Sequence, residues 1–249
     1  RMNIRSMAWA LSLILCAMSS QAQTTAVWPK AKAQNWFSGQ PWRVGANFLP
    51  STAINQLEMW QAETFDAVTI DRELGWAEGL GMNTMRVFLH DLLWQQDPAG
   101  FHKRLDEFLA IAARHKIRPL FVLFDSCWDP LPAQGKQHEP TPGVHNSGWV
   151  QSPGATALKE TRQHARLEAY TKGVVGAFAK DRRILGWDVW NEPDNQNDNS
   201  YGKNWLKQEP ARKVERTLEL LEKAMRWARE SDPTQPITSG VWIGQWPED

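Results

Sequence analysis

Five short apolar runs alternate with four longer stretches whose apolar residues recur at helical spacing, and this alternation constrains the fold more than any other feature of the chain. Trp42 to Leu49 reads as a first strand, closed by Pro50-Ser51. A helix follows with Ile70, Leu74, Ala77 and Leu80 on one face and Gly81 as its stop. Asn83 to His90 is predicted to be strand two. Asp97-Pro98 opens the next helix, because Asp satisfies orphan N–H groups and Pro fits the first turn. Leu105, Phe108, Leu109 and Ala112 line its buried stripe. Ile117 to Phe124 is strand three, followed by a helix over about 160–180 carrying Leu167, Tyr170, Val174 and Phe178. Ile184 to Trp190 is strand four. Pro210 starts a helix with Val214, Leu218, Leu221 and Met225 on one face, and Pro236 to Ile243 is strand five. Strands joined by helices imply a parallel sheet with crossover connections. An open doubly wound sheet and a closed barrel both satisfy this periodicity. No Gly-rich phosphate turn follows strand one, which argues against a dinucleotide-binding sheet.

The 249 residues suffice for one large domain. With 28 basic and 28 acidic side chains, net charge is zero, and neither a nucleic-acid face nor a polybasic membrane patch is expected. Residues 1–22 read as a signal peptide: Arg1 and Arg5, an apolar run from Met7 to Met18, and Ser20-Gln21-Ala22 as a cleavage site. The run is too short to span a bilayer, and Leu15 is too bulky to precede a lipidated Cys16. The expectation is a secreted or periplasmic protein with no membrane attachment after cleavage. Cys127 is then the one remaining cysteine, so no internal disulfide is expected; the thiol reads as a half-buried structural group, with a catalytic role as the alternative. Residues 23–41 read as an N-terminal arm packed under the sheet, and 42–249 as the main body. Residues 125–157 hold five prolines and four glycines without periodicity. A loop of that length in a compact domain is usually functional.

The chemistry concentrates at Leu185-Gly186-Trp187-Asp188-Val189-Trp190-Asn191-Glu192-Pro193-Asp194. A mostly apolar strand ends in Asn191-Glu192-Pro193, where the proline, lacking an N–H, stops the ladder. Glu192 therefore stands where a strand runs out into a loop, the rim at which barrel enzymes place catalytic groups. A carboxyl with apolar neighbours holds its proton to higher pH and can serve as a general acid. Helix capping or a surface ion pair is the plain alternative for Glu192.

This stretch resembles the acid/base signature of family 5 glycoside hydrolases and their clan A relatives, retaining β-glycosidases on a (β/α)8 TIM barrel. The resemblance covers residues 42–245 and is sharp in the Asn191-Glu192-Pro193 block and in Thr84-Met85-Arg86-Val87-Phe88-Leu89-His90. It implies an α/β barrel of which about five of eight βα units lie in this chain, with the nucleophilic Glu on a later strand outside it; Glu248 matches no motif. As a piece with two open edges, the isolated chain is expected to be poorly soluble or partly unfolded. The resemblance assigns Glu192 as general acid/base and Asn191 as partner of a sugar 2-hydroxyl. It places Arg86 beside the nucleophile, the alternative being a salt bridge inside the barrel, and His90 near the sugar or in a structural rim role. It implies a β-linked polysaccharide or oligosaccharide substrate (the cellulose, mannan or xylan class), with no cofactor and no metal. Many members carry a histidine just past strand three, where this chain has Phe124-Asp125-Ser126-Cys127-Trp128-Asp129, and that departure leaves the substrate open. Tryptophan is abundant, 15 residues against two tyrosines. Trp128, Trp149, Trp205, Trp242 and Trp246 fall on or near rim loops and are candidate sugar platforms, although core packing is the common fate of Trp.

Strict alternation along strand four would send Asn191 and Glu192 to opposite faces, so both can reach a site only if the strand bends or bulges. Two rival readings remain. A metal-dependent barrel hydrolase would draw on His90, Asp91, Asp125, His138 and His145, but strand one offers it neither His nor Asp. A non-catalytic sugar-binding protein would keep the tryptophans and have no use for Glu192.

Overall fold

The structure, a computed structural model, describes residues 27–198 and 207–244. The signal-like residues 1–22, Cys16, Tyr201, Trp205, Trp246 and Glu248 lie outside the described residues. Five strands form one parallel sheet in chain order: β1 (Gly45–Asn47), β2 (Thr84–Phe88), β3 (Arg118–Asp125), β4 (Gly186–Asn191) and β5 (Ile237–Gly240). The sheet is not closed, and it has the architecture of an incomplete (β/α)8 barrel.

The helices are α1 (Lys30–Ser38), α2 (Gln56–Trp60), α3 (Ala67–Gly79), α4 (Asp91–Gln96), α5 (Pro98–Arg114), α6 (Ala155–Lys159), α7 (His164–Ala177) and α8 (Lys213–Glu230). Local chemistry sets their ends. The Asp97 side chain accepts from Gly100 N at 2.9 Å with Pro98 at the first helical position. Gly81 closes the turn after α3 at φ +81°, a conformation that costs a glycine little. Leu105, Phe108, Leu109 and Ala112 bury the inner face of α5, and Leu167, Tyr170 and Val174 that of α7. Leu80 is not part of the α3 stripe; it is the C-cap residue and 75 % exposed. Along α8 the buried residues are Lys213, Thr217, Leu220, Leu221, Ala224, Trp227 and Ala228, so the inner face is rotated from the expected one, and Val214, Leu218 and Met225 lie at its margin.

The core between sheet and helices is rich in aromatic residues. Trp60 packs on Phe65, Phe101 and Phe108, and Phe121 on Phe108 and Trp187. Trp60 and Trp187 are fully buried and spend their indole N–H on Phe88 O at 2.9 Å and Gln235 Oε1 at 3.2 Å. Beneath the sheet, α1 buries none of its residues; Trp36, Phe37 and Trp42 line a groove with Leu185. Above it, residues 125–157 fold back on the end of β3 through the bridges Asp125–Ser152 and Asp129–Val150. The first strand is shorter than its apolar run, three residues against eight, and its other residues are loop.

Candidate active site

All six residues of β4 are buried, and the strand carries an irregularity at its end. Asp188 pairs with Thr238, but it is Asn191 that meets Gly240, three steps on β4 against two on β5. This is a β-bulge, with the extra residue re-aiming the side chains that follow. Asp188 and Asn191, three apart, thereby reach the same guanidinium: Arg86 Nη2 lies 2.5 Å from Asp188 Oδ2 and 2.9 Å from Asn191 Oδ1. The next residue, Glu192, adopts φ +50°, a left-handed conformation that strains a non-glycine residue, and such strain gathers at functional sites. Bulge and strain together supply the bend that brings Asn191 and Glu192 to one side.

There Glu192 meets the end of β3. Its Oε2 accepts from Cys127 Sγ at 3.0 Å and from Asn195 Nδ2 at 2.7 Å. Asn191 Nδ2 donates to Asp125 Oδ1 at 2.9 Å, and the Cys127 backbone N–H donates to the same oxygen at 3.0 Å. Asp125 is 2 % exposed, and its Oδ2 has no hydrogen-bond partner among the described residues. Burial drives its carboxyl up to about 6, helped by the Glu192 charge and opposed by Asn191, Cys127 N–H and Arg86. Burial also pushes the Cys127 thiol far up, so it stays protonated and acts as a donor. Asp188 is raised by burial despite the Arg86 guanidinium at its oxygen. Gly240 closes the layer, since a Cβ there would stand 3.1 Å from Arg86 Nη2.

Glu192 opens onto a cleft of about 150 Å³ lined by Cys127, Trp128, His145, Asn195, Asn197 and Trp242. Trp128 at φ +76° and Asn197 at φ +66° are also left-handed, so three strained residues meet in one cleft. Two reciprocal bonds lock these loops: Trp128 N to Asn197 Oδ1 at 2.9 Å and Asn197 Nδ2 to Trp128 O at 2.7 Å. Glu209 and Lys213 buttress them, with Glu209 Oε1 accepting from Asn197 Nδ2 at 2.7 Å and from Lys213 Nζ at 2.8 Å. The Asp194 carboxylate accepts the backbone N–H groups of Trp242, Ile243 and Gly244 at 2.7, 2.8 and 3.2 Å, fixing the segment that presents Trp242.

The other sequence candidates divide. Trp149 is half-buried and packs edge-on against Phe88 at 5.1 Å, and that ring also carries the Arg86 guanidinium at 4.9 Å. His90 is fully buried and caps α4, with Nε2 2.8 Å from Gln151 O and Nδ1 accepting from Leu92 N at 3.1 Å; a ring so placed has no face toward a sugar. Burial lowers its pKa and keeps the ring neutral. The five residues of the metal reading do not converge: His90 and Asp91 lie against each other at 3.3 Å, but Asp91 is held by Ser152 and Arg166, His145 packs on Trp128, and His138 is exposed. Among the described residues no cluster of three or more His, Cys, Asp or Glu is placed to hold a metal ion. Asp188 and Asn195 carry much of the site and were not singled out by the sequence, while Asp125 entered only as a possible metal ligand and Cys127 chiefly as a structural thiol; the available signal was Asp125-Ser126-Cys127 at the very end of strand three.

No protein-family profile matches the chain, and no curated protein matches its sequence. Solved structures match its fold. GH5_18 from Streptomyces cattleya in complex with GlcNAc superposes with TM-score 0.51 at 14 % identity, covering 83 % of this chain and 46 % of that one. A variant of the same enzyme in complex with Manb1-4GlcNAc gives 0.50 and 14 %, covering 78 % and 43 %. The endo-1,4-beta-mannanase from Rhizomucor miehei gives 0.51 and 16 %, covering 82 % and 57 %. The chain thus has the fold of part of a (β/α)8 barrel. That fold is the one found in these GH5 and mannanase structures, and the chain spans about half their length.

Proposed function

We propose that this chain forms the acid/base part of a retaining glycoside hydrolase acting on β-linked polysaccharides or oligosaccharides, with Glu192 as general acid and then base. The observation that carries the reading is Glu192 at the bulged, left-handed end of β4, its carboxylate opening onto a cleft walled by Trp128 and Trp242. In such enzymes two carboxyls stand about 5–5.5 Å apart. One, here supplied by a later strand of the whole protein, attacks the anomeric carbon; Glu192 protonates the departing oxygen and afterwards takes a proton from water. Asn191 would meet the sugar 2-hydroxyl. Its amide is oriented at both ends, by Arg86 on the oxygen and by Asp125 and the Cys127 sulfur on the nitrogen, and the oxygen retains a second lone pair to accept from the sugar hydroxyl. Arg86 would face the nucleophile from its place on Asp188. Trp128 and Trp242, together with Trp149 and Trp205, are proposed to offer ring faces to sugar C–H surfaces. Because two of the fold neighbours are a mannanase and an enzyme holding Manb1-4GlcNAc, β-1,4-mannosides are the first substrates to try. The signal-like N-terminus supports action outside the cytoplasm.

The test is kinetic and uses the full-length protein. Glu192→Gln should lower kcat on β-glycosides with poor leaving groups by about 100- to 10,000-fold, while the first step with activated aryl glycosides is spared. Unchanged rates on both substrate types would refute the assignment.

A further inference from the structure

The two oxygens of the Glu192 carboxyl have different surroundings. Oε2 receives two donors, the Cys127 thiol at 3.0 Å and the Asn195 amide at 2.7 Å. Neither donor is free to turn away. Cys127 is 5 % exposed and its backbone N–H is held by Asp125. Asn195 N donates to Glu192 O at 3.0 Å, and its Oδ1 accepts from Asn197 N at 2.6 Å, which leaves Nδ2 facing the carboxyl. In a neutral carboxyl the better acceptor is the carbonyl oxygen, so an oxygen receiving two donors is the unprotonated one. Resting on the acid/base reading of Glu192, we propose that Cys127 and Asn195 are positioning residues that hold Oε2 as the fixed acceptor and make Oε1 the oxygen that delivers and recovers the proton.

The arrangement suits the chemistry of the first step. The O–H bond at Oε1 breaks as the bond from that hydrogen to the leaving oxygen forms, and the electrons of the broken C–O bond stay on that oxygen. Negative charge then appears on the Glu192 carboxylate. Two donors already aimed at Oε2 stabilise it without reorganisation, the condition under which such contacts accelerate a reaction. The thiol can play this part because burial, with the charges of Asp125 and Glu192 adding to it, keeps it protonated. A thiol is also a weak donor, so it holds the neutral acid loosely and grips the carboxylate more strongly.

The experiment combines kinetics with infrared spectroscopy on the full-length protein. Cys127→Ala should lower kcat for poor leaving groups about 10-fold, the value of one hydrogen bond to a charged group, with KM unchanged. Asn195→Ala should do the same, and Cys127→Ser, which keeps a donor, should restore the rate to within about twofold of wild type. The S–H stretching band of Cys127, identified by its loss in Cys127→Ser, should move in Glu192→Gln. Equal losses on good and poor leaving groups with no rescue by serine would overturn the proposal, as would an S–H band indifferent to Glu192. If the Ala variant does not fold, the serine variant and the band still decide. A wild-type protein inactive on every β-glycoside would overturn the acid/base reading and the proton-delivery role with it, whereas normal wild-type activity undiminished by Cys127→Ala would overturn this inference alone.

Discussion

Asp125 shows how one buried side chain couples the site to pH. Its native carboxyl titrates at about 6, against an ordinary value of 3.8. Between these values the folded protein holds a proton that the unfolded chain has released, so stability falls as pH rises from about 4 to about 6. The full span amounts to about 3 kcal/mol. Asp125→Asn keeps an acceptor for Asn191 and Cys127 yet carries no charge at any pH. Urea-unfolding midpoints should therefore decline more steeply across this window in wild type than in the variant, which becomes the more stable of the two at pH 7. Equal slopes would show that Asp125 ionises as readily when folded as when unfolded. At this scale the sequence exposed only what is local. Glu192 was legible because its signature is ten consecutive residues. Asp188 was not, because its partner Arg86 lies 102 positions away, and Cys127 was not, because the carboxyl it touches lies 65 positions away. Nothing near a single cysteine announces the oxygen it will meet. His90 was legible as a strand-end residue, but the Gln151 carbonyl that draws it inward comes from a loop without periodicity.

Elements behave differently, since periodicity is itself a statement about elements. All five strands and the main helices followed from apolar spacing, and the need for a bulge in β4 followed from two functional residues being adjacent. What spacing left open was rotation. The Val214–Leu218 register of α8 differs from the observed Thr217–Leu221–Ala224–Ala228 seam because Lys213 turns inward to bond Ser126 O at 2.6 Å and Glu209, setting the helix phase. Polar anchoring overrode an apolar count. The segment after β5 is anchored likewise: the Asp194 carboxylate gathers three successive N–H groups. Burial raises this carboxyl, but the three N–H groups outweigh it and leave the pKa below its ordinary value. In Asp194→Ala those amides lose their acceptor. Hydrogen exchange at Trp242, Ile243 and Gly244 should accelerate by about 10-fold or more, consistent with a charge-assisted bond worth roughly 1.5–3 kcal/mol, while β4 amides hold their rates. Unchanged exchange at 242–244 would mean that the segment is set by packing rather than by Asp194.

For the whole molecule, the decisive fact is that the parallel sheet has two ends. In the order β1 to β5, neither outer edge has a strand partner among the described residues. Parallel sheets are ordinarily covered on both faces and closed or capped at their edges, because a free edge offers unpaired N–H and C=O groups to any other chain. Apolar surface adds to that pull. Trp42 and Phe37 stand 86 % and 75 % exposed at the lower end, and Val241, Trp242 and Ile243 are exposed past β5 at the upper end. Scattered exposed apolar residues are ordinary, but Trp36, Phe37, Trp42 and Leu185 line one groove, and contiguous patches of this kind drive association. Self-association of the 249-residue chain produced alone follows from these two features together. Sedimentation velocity across a series of micromolar concentrations should show the weight-average coefficient rising with concentration, with broad thermal unfolding of low cooperativity. Lysine substitutions at Trp42 and Ile243 should shift the distribution toward monomer by removing apolar surface at both ends while sparing Glu192 and its donors. A single monomeric boundary at every concentration, with a sharp cooperative melt, would mean that the open edges and the groove are satisfied within the chain itself.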